Sequence, residues 1–197
     1  MKANMAQTAT AKRNQKNLAA DSRRQPSGET RSLAAAELSR QLRCASDGFL
    51  AERRGIVALS LLAIGALGLI SLYQVGIVKH LPEPPLPKLD AERIDGSPEA
   101  YERLSAPDAT LGVSSYAATL ALAAMGGANR SRERPWLSVA LAAKVGFDLA
   151  QSLRMLRIQW TKYRAFCFWC LVSAAATFAT VPLVFGETRA ALRRLTK

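Results

Sequence analysis

The sequence predicts an all-α membrane protein: a four-transmembrane-helix bundle behind a disordered or amphipathic N-terminal cytoplasmic tail. Three observations predict it. The stretches 55–78, 109–128 and 166–185 contain no charged residue, and each reaches the ~20 residues that a helix needs to cross about 30 Å of hydrocarbon. A fourth stretch, 135–153, is apolar apart from Lys144 and Asp148. The basic residues fall in blocks between these runs and form no single surface. The chain has 197 residues, 49% of them apolar, and a formal charge of +12. In a globular domain that charge would suggest a nucleic-acid partner. Placed in blocks, it reads as topology signals, and no nucleic acid is expected.

The elements follow in order. Residues 1–54 hold 11 Lys/Arg against 5 Asp/Glu and form a basic cytoplasmic tail. The opening, "MKANMAQTATAKRNQKNLAADSRRQPSGET", is polar, has no apolar face and predicts disorder. No apolar core follows the charged start, so a signal peptide is not expected, although the Arg- and Ala-rich composition is also that of an organelle transit peptide. Residues 29–54 favour helix and suit an amphipathic segment on the inner membrane surface. A four-helix domain follows at 55–187, and a basic cytoplasmic C-terminus at 188–197. Four spans bring both termini to one side. The tail, the turn "NRSRERP" and the end with Arg189, Arg193, Arg194 and Lys197 are basic, so this side is cytoplasmic. The loop 80–110 has seven acids and three bases and fits outside. The loop 154–165, with Arg154, Arg157, Lys162 and Arg164, is discordant, and the larger tail is expected to dominate. The expected location is the plasma (inner) membrane, crossed several times.

There are three cysteines: Cys44, Cys167 and Cys170. That is too few for a disulfide-stapled fold or for the four ligands of a structural zinc site, so no metal is expected. Cys167 and Cys170 open the last span on its outer side, away from cytosolic reductants. Residues three apart share a helix face, so their sulfurs can close a disulfide. Cys167 is expected in the first helical turn, where the free N–H groups, Lys162 and Arg164 would favour a reactive thiolate. Cys170 is expected one turn deeper, facing lipid. A dithiol so placed can take electrons from an aqueous thiol partner and pass them to a quinone in the membrane. Two packing cysteines are the simpler alternative.

Lys144 and Asp148 are four apart on one helical face, a possible intramembrane ion pair that either fixes packing or marks a proton path. His80 reads as a solvated interfacial residue, Tyr73, Trp136, Trp160 and Tyr163 as interfacial anchors, and "LPEPPLP" as an extended spacer.

Three segments taken together resemble the vitamin K epoxide reductase family. "GLISLYQVGIVKHLPEPP" is similar to the family's first span and its exit. "SPEAYERLSAPDATLGVSSYAATLALAAMGG" is similar to the loop end and second span, with Ser97, Pro98, Pro107, Gly112 and Tyr116 at the motif positions. "KYRAFCFWCLVSAAAT" is similar to the start of the last span with its redox Cys-x-x-Cys. The resemblance implies a four-helix membrane enzyme that couples oxidation of a thiol partner on the outer side to quinone reduction. Cys170 would be the quinone-facing cysteine and Cys167 the interchange cysteine, with Ser97, Asp108 and Tyr116 at the quinone pocket. The chain departs from the pattern in three ways. Typical members carry two shuttle cysteines in the outer loop, and "LPKLDAERIDGSPEAY" has none. Ala174 stands where some members have a tyrosine. Asp108 stands four before Gly112, where vitamin-K-reducing members have another polar residue. A non-catalytic membrane scaffold or partner-binding protein on the same fold is therefore the second expectation.

Overall fold

The computed structural model describes residues 28–45 and 48–196. The chain divides into two units, Met1–Cys44 and Ala45–Lys197. In the first, α1 (Gly28–Cys44) is built from strong helix formers and is exposed along most of its length. Its Glu37 accepts hydrogen bonds from Arg40 at 2.6 Å and Gln41 at 3.0 Å. The disorder expected for 1–30 lies outside the described residues except at 28–30, which are helical.

The second unit is a helical bundle: α2 (Leu50–Gln74), short α3 (Ala91–Asp95), α4 (Asp108–Ala124), short α5 (Arg130–Glu133), α6 (Pro135–Ile158) and α7 (Phe168–Leu195). Among the described residues there is no strand. α2 packs on α4 and α7, and α6 on α7. By length and composition α2 and α7 can each cross a membrane.

The helices and the apolar runs do not share ends. α2 starts at Leu50, ahead of the expected 55. α6 runs five residues past the expected 153, so the supposed loop from Arg154 is helical as far as Ile158, and α7 continues to Leu195 instead of stopping near 185. Hydropathy marks where a chain tolerates lipid, but Glu, Arg and Leu favour helix whether or not lipid surrounds them. The second helix is shorter than the expected 109–128, ending at Ala124. There Met125 is extended and Gly126 takes φ +82, a left-handed value that glycine adopts freely.

Two arginines satisfy the end of α4. Buried Arg53 donates to the carbonyls of Ala123 (2.8 Å), Met125 (2.8 Å), Gly126 (2.9 Å) and Gly127 (2.9 Å). Buried Arg130 donates to Leu122 (2.5 Å) and Met125 (2.8 Å), and its other nitrogens grip both Glu187 oxygens at 2.6 and 2.8 Å. A helix C-terminus has unpaired carbonyls and a partial negative charge, so cations fit there, and Glu187 offsets their mutual repulsion. Further along α4, Gly112 lets α2 come close: a Cβ there would lie 2.7 Å from Leu67 Cδ1. Two apolar clusters fill the bundle. One joins Ile56, Ala123, Leu141, Val145 and Val184 near the arginines. The other joins Leu67, Ile70, Leu81, Ala91, Ile94, Tyr116 and Cys167 at the opposite end.

Candidate active site

The site is built where the loop after α2 meets the start of α7. α6 runs into a wide turn at Gln159–Tyr163, and Arg164 ends it with φ +53. The left-handed residue turns Ala165–Cys167 into an extended strand-like entry to α7. The loop lies along that entry: Phe166 N–H donates to Lys88 O (2.8 Å) and Asp90 N–H donates to Phe166 O (3.0 Å). Trp169 Nε1 donates to Pro82 O at 2.7 Å. Leu81, Ala91, Ile94 and Ala165 are buried in the same apolar cluster as Cys167.

Cys167 is the N-cap of α7, with φ −89 and ψ 125, and is 0% exposed. Its N–H donates to Gln159 Oε1 (3.2 Å), and its sulfur accepts from Cys170 N–H (3.2 Å). Cys170 is half-buried, and its thiol donates to Asp95 Oδ1 at 3.6 Å. The two sulfurs and a carboxylate oxygen of Asp95 lie within 4.8 Å of one another, and both thiols are free. These three donors are one short of a closed structural zinc site. Their spacing on one helical turn suits sulfur–sulfur bonding.

Asp95 ends α3 and is 3% exposed. Burial pushes its carboxyl up to about 7. Hydrogen bonds from Cys167 and Cys170 oppose the rise, and the nearby Asp108 and Glu83 add to it. Its Oδ2 has no hydrogen-bond partner. Gln74, at the end of α2, holds the surroundings: its Nε2 donates to Asp95 O (3.2 Å) and Asp108 Oδ1 (2.8 Å), and its Oε1 accepts from Ala109 N–H (3.3 Å).

Two expectations are corrected. Cys167 is the covered thiol and Cys170 the more accessible one, because Cys167 caps the helix with its side chain turned inward and the loop is stitched over it. The cations expected to activate Cys167 are engaged elsewhere. Lys162 Nζ and Tyr163 Oη donate to Glu99, whose carboxyl these bonds hold down at about 2, and Arg164 lies over the Trp160 ring.

The remaining sequence-predicted residues divide between two places. Asp108 opens α4 at the Gln74 junction. Ser97, two residues after Asp95, is buried at the N-cap of the short turn Pro98–Ala100, but its side chain makes no capping bond. Tyr116 is buried, with its hydroxyl 2.5 Å from Thr177 Oγ1. Lys144 and Asp148 are 2.5 Å apart in a separate network. Ser115 accepts from Lys144 (2.9 Å) and donates to Asp148 (2.8 Å), and Thr119 also donates to Asp148 (2.7 Å). Sequence reasoning missed Asp95, Gln74 and Gln159. One signal was present for Asp95: in "AERID" it falls on the helical face of Ala91, next to Ile94.

The helical bundle thus has two helices long and apolar enough to cross a bilayer, and a free thiol pair at the start of the second. The chain matches the vitamin K epoxide reductase family over residues 55–185, more than half its length, and belongs to that family. The resemblance read from its three segments is thus borne out. The family is one of membrane-embedded oxidoreductases that work with quinones and thiols. No curated protein matches the sequence.

Proposed function

We propose that this protein is a quinone-dependent membrane thiol–disulfide oxidoreductase whose working centre is Cys167 and Cys170. Four spans, about 55–78, 109–128, 135–153 and 166–185, would cross the plasma membrane, with the basic tail 1–54 and the basic end 188–197 in the cytoplasm. A thiol-bearing partner outside would reduce the Cys167–Cys170 disulfide directly, since the loop has no shuttle cysteines, and the dithiol would reduce a membrane quinone. Ser97, Asp108 and Tyr116 would border the quinone. No metal takes part in this scheme.

One observation carries the reading. The two sulfurs share a helical turn under a fitted loop, beside a buried carboxyl, at the end of a helix apolar enough for lipid. Packing cysteines would not need Asp95, whose burial without a full set of partners is costly. The test is quinone-dependent oxidation of a small dithiol by the purified full chain in detergent. Cys167→Ala, Cys170→Ala and the double variant should each lose turnover by at least ~100-fold, because a two-electron transfer needs both sulfurs to close the disulfide. If the double variant turns over like wild type, the enzyme reading fails. A folded wild type that is inactive with benzoquinones and naphthoquinones would favour the non-catalytic scaffold, the reading that the cysteine-free loop supports.

A further inference from the structure

We infer that Asp95 is a catalytic residue of this centre: it accepts the proton of the Cys170 thiol and returns it when the disulfide is reduced. The inference rests on the thiol–quinone reading above and adds the group that moves the proton. Asp95 Oδ1 accepts from the Cys170 thiol at 3.6 Å, so it touches a reacting atom. Its other oxygen is buried without a partner. A carboxyl that is 3% exposed and not fully bonded is unfavourable for folding, and such strained ionisable groups concentrate at working sites.

The surroundings favour a proton carrier over a salt-bridged anion. The titratable groups facing Asp95 are Cys167 and Cys170 from α7, Asp108 from α4, Glu83 from the covering loop and Tyr73 from α2. None of them is a cation, so ionised Asp95 gains nothing from a neighbour's positive charge. Its proton affinity, raised to about 7, lets the carboxyl both take up and release a proton near neutral pH. Gln74 holds the Asp95 backbone carbonyl, and it joins that carbonyl to the start of α4 through Asp108.

The balance is as follows. In the dithiol state the Asp95 carboxylate takes the Cys170 proton. The Cys167–Cys170 sulfur–sulfur bond forms, and the electron pair released passes to the quinone. Two protons, one from Asp95 and one from the Cys167 thiol, reach the quinol oxygens. In the return half, a dithiol donor is oxidised to its own disulfide and the Cys167–Cys170 bond breaks. The two protons released by the donor's thiols go one to Cys167 and one to the Asp95 carboxylate, which passes it to Cys170.

The test compares wild type with Asp95→Asn and Asp95→Glu in the purified full chain. Asn keeps the shape and cannot take a proton, while Glu keeps the chemistry. In the quinone assay, Asp95→Asn should lose about 100-fold in kcat near pH 7 together with the rising limb of the pH profile near 7, and Asp95→Glu should restore part of both. A second readout needs no turnover. The rate of Cys170 alkylation by iodoacetamide in reduced wild type should show an inflection near pH 7 as well as the thiol's own, and Asp95→Asn should show only the latter. Asp95→Asn with wild-type kcat and pH profile would overturn the proposal, as would a wild-type alkylation profile with no inflection near 7. If wild type reduces no quinone but the inflection is present and absent from Asp95→Asn, the thiol–quinone reading falls and the proton link between Asp95 and Cys170 stands.

Discussion

Asp95 is an ordinary loop acid when read as a letter between Ile94 and Gly96. What distinguishes it is the fold: α3 is only five residues long, and the loop turns its last residue under the cover and against a helix some seventy residues away. Cys167 and Cys170 were legible because their spacing and their place at the start of an apolar run are properties of the string. Which of them is covered was not, because that depends on Phe166 pairing with a loop far away in sequence. The burial of Asp95 has a consequence for stability. Its carboxyl is raised from an ordinary 3.8 to about 7 in the fold, so the folded state binds the proton more tightly than the unfolded chain does. The stability tied to this proton is fully present below pH ~4 and is lost as pH rises through about 7. At ~1.4 kcal/mol per pKa unit, the loss by pH 8 is on the order of 4 kcal/mol. Thermal or denaturant unfolding should show wild type less stable at pH 8 than at pH 5, with the difference much reduced in Asp95→Asn. Equal pH slopes in the two proteins would mean that Asp95 titrates normally.

At the scale of elements, the apolar runs announced the four long helices, and polar contacts set where those helices end. Arg53 and Arg130 reach the same helix terminus from different elements, and neither arginine could be assigned to α4 from its neighbours in the chain. The Lys144–Asp148 pair is the opposite case, since an i, i+4 spacing within one helix was enough to expect it. The structure adds Ser115 and Thr119, which extend the pair into a link between α4 and α6. Removing one partner leaves the other charge poorly solvated. Lys144→Met alone should therefore lower the unfolding free energy in detergent by about 2–3 kcal/mol, less than for a fully enclosed pair because Asp148 keeps two hydroxyl donors. The double change with Asp148→Leu should cost less than Lys144→Met alone. If the two losses simply add, the charges are not coupled.

At the scale of the whole bundle, the two ends differ in charge in a way that no single helix does. α2 starts, α4 ends, α5 and α6 follow and α7 finishes at one end, which gathers Arg53, Arg54, Arg130, Arg132, Arg134, Arg189, Arg193 and Arg194. The other end holds the thiol pair in a mixed-charge setting, with Glu83, Asp90, Glu92, Asp95, Glu99 and Asp108 beside Lys79, Lys88, Arg93, Lys162 and Arg164. Its discordant cations are partly accounted for by the fold, as Lys162 is bound to Glu99 and Arg154 and Arg157 lie in the helical extension of α6. These cations still count against a cytoplasmic arginine end, and the larger arginine count at that end outweighs them. A reporter fused after Lys197 should therefore report cytoplasm, and one inserted at Pro87 in the covering loop should report the outside. An exported C-terminus would invert the thiol pair into the reducing compartment, where a standing Cys167–Cys170 disulfide could not be maintained, and would remove the outer thiol donor from the proposed reaction.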